Sequence, residues 1–155
     1  MTANTAAGLL MCRVSGGFLQ YFLVHPGGPF WKNKDLGSWS IPKGEYSSDE
    51  NPLDAARREF LEETGQDIDG DFIELTAVRQ KAGKLVQAWA VEGDFNPDLL
   101  QSNNFEIEWP PRSGKYRSFP EVDKAAWFNL EEAKIKINPA QLALLEELNQ
   151  LSTKK

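Results

Sequence analysis

The chain has 155 residues, 41% of them hydrophobic and 26% charged, with a formal net charge of -6. That size and composition suit one globular domain over 1–155 with a sizeable core. The acidic balance argues against a duplex nucleic-acid partner, which is bound through a basic surface.

The opening MTANTAAGLLMC lacks the basic start and long apolar stretch of a signal peptide. No segment approaches the roughly 20 apolar residues of a membrane helix, so no membrane partner is expected and the expected address is the cytoplasm. The single cysteine, Cys12, allows no intrachain disulfide and reads as a buried strand thiol suited to a reducing compartment. Residues 8–14 and 18–24 are short apolar runs joined by Ser15-Gly16-Gly17, a hairpin signal. Residues 25–38, rich in Pro, Gly and Asn, read as a loop, and 39–42 as a short extended piece. Residues 72–80 and 84–92 read as strands joined at Ala82-Gly83. Residues 93–122 contain four prolines and read as a long loop, a kind usually kept for function. Residues 125–128 read as a strand. Asn138-Pro139 then opens a helix whose Leu142, Leu145 and Leu148 form a core-facing stripe.

One segment stands apart, residues 44–66, GEYSSDENPLDAARREFLEETGQ. Asn51 is a good N-cap, Pro52 suits the first helical position, Asp54 lies near the positive helix end and Gly65 is a good stop, which predicts a helix over 52–64. At about 100° per residue, Leu53, Ala56 and Phe60 share a buried stripe, and Glu59, Glu62 and Glu63 share the neighbouring arc with Ala55. Like charges so placed repel by a few tenths of a kcal/mol per pair. Arg58 can pair with Glu62 at i,i+4 but cannot neutralise three carboxylates. A hard divalent cation can, and Mg²⁺ prefers carboxylate oxygens together with water and substrate phosphates.

Gly44, Glu50, Arg58, Glu59, Phe60, Glu62, Glu63 and Gly65 stand in the register of the Nudix box, and the chain resembles the Nudix hydrolase family. Gln66 departs from the pattern, where an aliphatic residue is usual. The resemblance implies an α/β fold, an α/β/α sandwich with a mixed sheet between helices. It implies Glu59, Glu62 and Glu63 as metal ligands, with the Gly44 carbonyl as a further one, for Mg²⁺ or for Mn²⁺ in its place. Arg58 would orient the glutamates, and Glu50 would help hold the box loop or bind an outer-sphere water. The implied reaction is attack of a metal-polarised water on phosphorus in a nucleoside diphosphate derivative, with Glu62, Glu59 and Arg58 in the catalytic set. Glu121, in Phe119-Pro120-Glu121 just before a strand, matches the place where many such enzymes carry an additional base or metal ligand; Glu108 and Glu106 are reserves.

The flanking residues suggest where a small-molecule nucleotide would lie. Lys43, in Ser40-Ile41-Pro42-Lys43-Gly44, can clamp polyphosphate as a point charge. Arg112, Lys115 and Arg117 form a basic cluster on an acidic chain, with Trp109 and Tyr116 beside it. Phe30, Trp31 and Trp39 could stack on a base. His25, the lone histidine, reads more readily as a surface residue than as a substrate contact, and Trp89 as core. Two subgroup signals fail. Gln80-Lys81-Ala82 stands where an ADP-ribose subgroup carries proline, and Gly83-Lys84-Leu85 where some dinucleoside polyphosphate enzymes carry tyrosine. The expected substrate is a dinucleoside polyphosphate or a nucleoside triphosphate. The rivals are a sanitiser of damaged nucleoside triphosphates and a non-catalytic nucleotide-binding module. No pattern in the sequence sets an oligomeric state.

Overall fold

The computed structural model describes residues 5–80 and 83–153. Lys81 and Ala82, on which the turn between two expected strands and one subgroup signal rest, lie outside them. Strands β1 (Thr5–Ser15) and β2 (Phe18–Pro26) form the expected hairpin, with Gly16 and Gly17 both at positive φ, where a side chain would be strained. β1 pairs in parallel with β6 (Leu85–Glu92) over eight residues, from Thr5↔Leu85 to Cys12↔Glu92. β2 pairs antiparallel with β9 (Val122–Asn129). β4 (Ile73–Glu74) and β5 (Val78–Arg79) extend the far edge beyond β6, and β3 (Lys43–Glu45) lies antiparallel on β1. The sheet is therefore mixed, with order β4-β6-β1-β2-β9. Its central strands are almost continuously apolar, as strands covered on both faces must be.

Alternation along β1 and β2 sends side chains to two separate cores. Ala7, Leu9, Met11, Phe22 and Val24 face α1 (Pro52–Thr64), which contributes Ala55, Ala56 and Phe60. Ala6, Leu10, Tyr21 and Leu23 face α2 (Leu130–Lys136) and α3 (Leu142–Thr153), which contribute Ala133, Leu144, Leu145 and Leu148. This is the α/β/α layering expected from the resemblance. Cys12 is buried in the second core. No helix among the described residues is long and apolar enough to cross a membrane.

Three expectations need correction. The 93–122 stretch is not one loop: β7 (Asn104–Glu108) and β8 (Tyr116–Pro120) pair into a hairpin of their own. β7 keeps a polar–apolar alternation, Asn-Phe-Glu-Ile-Glu, but only over five residues, and β8, Tyr-Arg-Ser-Phe-Pro, breaks it. The helix expected from Asn138-Pro139 begins as a 3₁₀ turn at Pro139–Gln141, and α3 proper starts at Leu142. Its buried stripe includes Leu144, with Leu142 only half-buried. α2 was not foreseen; at seven residues it is too short for a clear period, although Asn129 caps it by accepting from the Glu132 N–H at 2.8 Å.

Candidate metal centre and adjoining pocket

The helix α1 forms for the reasons its sequence gives. The Asn51 side chain accepts from the Leu53 and Asp54 N–H groups, and Gly65, at φ 81, returns its N–H to the Leu61 carbonyl at 2.7 Å. Its wheel differs from expectation in one respect. Leu53 is only half-buried, whereas Glu59 is buried with 8% exposure. The apolar stripe holds the helix on the sheet and carries a carboxylate inward with it.

Glu59 lies flat against β3. A Cβ placed on Gly44 would sit 2.0 Å from Glu59 Oε1 and 2.1 Å from its Cδ, so only glycine lets the box loop approach this carboxylate. Arg58 organises the rest. Its Nε and Nη2 grip Glu50 at 2.7 and 3.0 Å, and its Nη1 donates to Glu59 Oε2 at 2.8 Å and Glu62 Oε2 at 3.1 Å. One guanidinium thus ties the loop to two helix carboxylates. Those bonds hold the Glu50 carboxyl below its ordinary range.

The remaining charge is under-compensated. Burial raises the Glu59 carboxyl, and neighbouring Glu62 adds to the shift against the pull of Arg58. Burial pushes Glu63 up to about 8, with Lys43 opposing and Glu59 and Glu121 reinforcing. Burial and then Glu62 raise Glu121. These four carboxylates therefore sense one another across the gap between α1 and the β8–β9 link. Lys43 shares the hollow, and burial lowers its ammonium pKa while Glu63 favours the charged form. Lys43, Glu63 and Glu121 line one cavity of about 110 Å³, with Ser40, Ile41 and Val122.

Hard carboxylate oxygens around a glycine cradle, with like charges uncompensated, fit a divalent cation. Among the described residues no three carboxyl groups already close into a cage.

Glu121 reaches this position through backbone alone. Asn103 donates its N–H to the Glu62 carbonyl at 2.8 Å and accepts from the Glu121 N–H at 2.8 Å. Gln101 likewise donates to the Thr64 carbonyl, and Ser102 Oγ accepts from the Val122 N–H at 3.0 Å. Residues 101–103 thus clamp the end of α1 to the link that carries Glu121, and no sequence motif announces them. Glu106 and Glu108 stand on β7, where Glu108 accepts from the Gly114 N–H. Gln141 is a second residue the sequence does not advertise: fully buried, it accepts from the Ile41 N–H at 3.0 Å and donates to Ser40 Oγ at 3.0 Å, fixing the approach to Lys43.

Next to the metal centre is a larger hollow of about 440 Å³, lined by Gly28, Lys32, Trp109, Arg117, Phe119 and Asp123 among others. Loop 25–38 folds over it because Gly27 and Gly28 allow close contact; a Cβ at Gly27 would sit 2.1 Å from the Pro120 carbonyl oxygen. Of the expected substrate residues, Arg117 lines the hollow, while Arg112, Lys115, Tyr116 and Trp31 do not. Tyr116 is 67% exposed, and Trp31 packs beneath the Lys34 ammonium. The aromatic pairing also differs from expectation: Phe30 meets Trp109 edge to face at 5.3 Å, so the two loops build one platform. Trp39 is core, with its indole N–H on Asp35 Oδ1. His25 is not a surface residue but fully buried, with Nε2 on the Lys34 carbonyl at 2.6 Å and Nδ1 on Asp123 Oδ1 at 2.8 Å. Trp89 is partly buried against the α1 core.

The NUDIX domain model matches residues 3–148. The chain belongs to the NUDIX domain family. It is similar to an Ap4A hydrolase of C. elegans, with a TM-score of 0.69 and 21% identity over 97% of this chain and 99% of that one. It is also similar to the NUDIX domain of Shewanella oneidensis NrtR, solved with ADP ribose, with a TM-score of 0.65 and 17% identity over 94% of this chain and 86% of that one. At such identities these likenesses speak for the fold. Among curated relatives, the mRNA-decapping enzyme subunit 2 of Arabidopsis thaliana is 33% identical over 84 residues, 51% of this chain and 22% of that protein. The m7GpppN-mRNA hydrolase of Saccharomyces cerevisiae is 35% identical over 82 residues, 46% of this chain and 8% of that protein. The match thus spans less than a quarter of the curated relatives' length. The matched span contains the box carboxylates Glu59, Glu62 and Glu63.

Proposed function

We propose that this Nudix hydrolase is a Mg²⁺-dependent pyrophosphohydrolase acting on a nucleoside diphosphate derivative. The observation that carries the reading is the gathering of Glu59, Glu62, Glu63 and Glu121 about the Gly44 cradle, where burial first and neighbouring carboxylates second raise the carboxyls of Glu59, Glu63 and Glu121. A binding module without chemistry would have no use for four mutually repelling carboxylates. Glu59, Glu62, Glu63 and the Gly44 carbonyl would hold the cation, which when bound polarises water and offsets developing phosphate charge. Arg58 keeps Glu59 and Glu62 oriented, and Glu121 faces them from the opposite strand link, placed to take a proton from the attacking water. Lys43 offers its ammonium to a phosphate once substrate competes with Glu63 for it.

The substrate reading rests on charge and shape. Lys43 at the metal hollow and Lys32 with Arg117 at the larger one give cations on both sides of the Pro120–Asp123 rim, which suits a chain of phosphates. The likeness to an Ap4A hydrolase supports a dinucleoside polyphosphate. The merging of Phe30 and Trp109 into one platform favours instead a ligand with a single stacked base, a nucleoside polyphosphate. A panel of dinucleoside tetraphosphates, nucleoside triphosphates and nucleotide sugars at equal free Mg²⁺ separates them. The expected result is a dinucleoside tetraphosphate leading in kcat/KM; a triphosphate ahead by tenfold, about 1.4 kcal/mol in transition-state binding, gives the site to the single-base reading.

A further inference from the structure

The 440 Å³ hollow has an acceptor in its wall that hydrolysis does not use. Asp123 lines it, about one-third exposed, while its Oδ1 is held by His25. That support is rigid: His25 is fully buried, anchored at its other nitrogen by the Lys34 carbonyl and packed edge-on to Trp39 at 5.3 Å. A polar group fixed from behind by a buried partner is pre-organised for recognition. Oδ2 receives no hydrogen bond from a described residue, and no lysine or arginine among them pairs with this carboxylate. Trp109, braced by Phe30, and Phe119 supply apolar walls, with Lys32 and Arg117 beside them.

A flat ring fits such walls by stacking. An ionised carboxylate only accepts, so the ring edge that meets it must donate. Guanine presents N1–H and its 2-amino group side by side. Hypoxanthine presents N1–H alone. Adenine turns its unprotonated N1, an acceptor, to the same place. We infer that Asp123, aimed by His25, is the residue that selects the base, and that the hollow takes a guanine nucleotide in preference to an adenine one. This deepens the proposed function, resting on it only in taking the ligand to be a nucleotide.

Equilibrium binding of guanosine, inosine and adenosine 5′-diphosphates, measured by calorimetry in EDTA so that nothing turns over, tests the inference. The guanine compound should bind tightest and the adenine compound weakest by about tenfold or more, with inosine between, the range expected for a directed base contact. Asp123→Asn can keep its oxygen on His25 and turn a donor to the ligand, so the guanine preference should vanish or invert. Lys32→Gln should weaken all three by a similar factor. Equal binding of the three by the natural protein, no binding of any, or a preference untouched in Asp123→Asn overturns the inference. Should that variant not fold, the natural protein's series decides alone. Guanine selectivity without Mg²⁺-dependent turnover would sink the proposed hydrolysis and keep this inference; turnover indifferent to base, with equal binding, would do the reverse.

Discussion

Glu63 shows most directly how the fold sets a residue's chemistry. Its folded pKa, about 8, lies above the 4.5 of an unhindered carboxyl. A raised folded value contributes stability that is complete below the unfolded pKa and is lost as pH rises through the folded one. The metal-free protein therefore loses stability between about pH 4.5 and 8. In EDTA, raising the pH from 5.5 to 8.5 should lower the Tm of the natural protein more than that of Glu63→Gln, by a few degrees; parallel shifts would mean that Glu63 is not strained when ionised. Glu121 is the residue placed by backbone rather than by motif. Glu121→Gln should cost about 10²–10⁴ in kcat with KM little changed, whereas Glu108→Gln should be nearly silent, as steady-state kinetics can check. The three box glutamates were legible because their spacing is local and periodic. His25, Gln141 and Asn103 were not, since each acquires its role from a partner far along the chain that no local pattern names. His25 illustrates the error: a lone histidine looks like surface until Asp123, 98 residues later, meets it.

Elements were legible in proportion to their regularity. α1 carries its own start and stop, so its bounds could be read as 52–64 before any packing was known. Asn51→Ala should cost about 1 kcal/mol, seen as a fall of roughly 2–4 °C in Tm. An unchanged Tm would mean that the sheet, not the cap, sets the helix start. The β7–β8 hairpin was hidden because β7 alternates over only five residues, β8 does not alternate, and Pro110, Pro111 and Pro120 imitate a loop. It is nonetheless the element that brings Trp109 and Arg117 to the hollow and Glu121 to the carboxylates. α2 escaped because seven residues give too few turns to show a period. The basic cluster was read as a unit from adjacency in sequence, but Arg117 lies on β8 and lines the hollow, whereas Arg112 and Lys115 lie before the strand, in the link from β7, and do not line it.

At the scale of the molecule, the mixed sheet holds two apolar cores apart and leaves polar chemistry at one end of the α1 layer. The same packing that buries Ala55, Ala56 and Phe60 carries Glu59 inward, so the core and the candidate metal site share one helix. Lys43, Lys32 and Arg117 put local cations beside the carboxylates of the two hollows, so an acidic protein still offers positive charge where a phosphate chain would lie. The central claim is that the box carboxylates perform metal-dependent hydrolysis of a nucleotide anhydride. The direct test is turnover of the best nucleotide by the natural protein and by Glu62→Gln, each with Mg²⁺ and with excess EDTA, alongside their Tm values. No turnover is expected in EDTA and, for Glu62→Gln, a kcat at least about a hundredfold lower, equivalent to losing a few kcal/mol of transition-state stabilisation, at unchanged Tm. Turnover that survives EDTA, or a folded Glu62→Gln as fast as the natural protein, would contradict it.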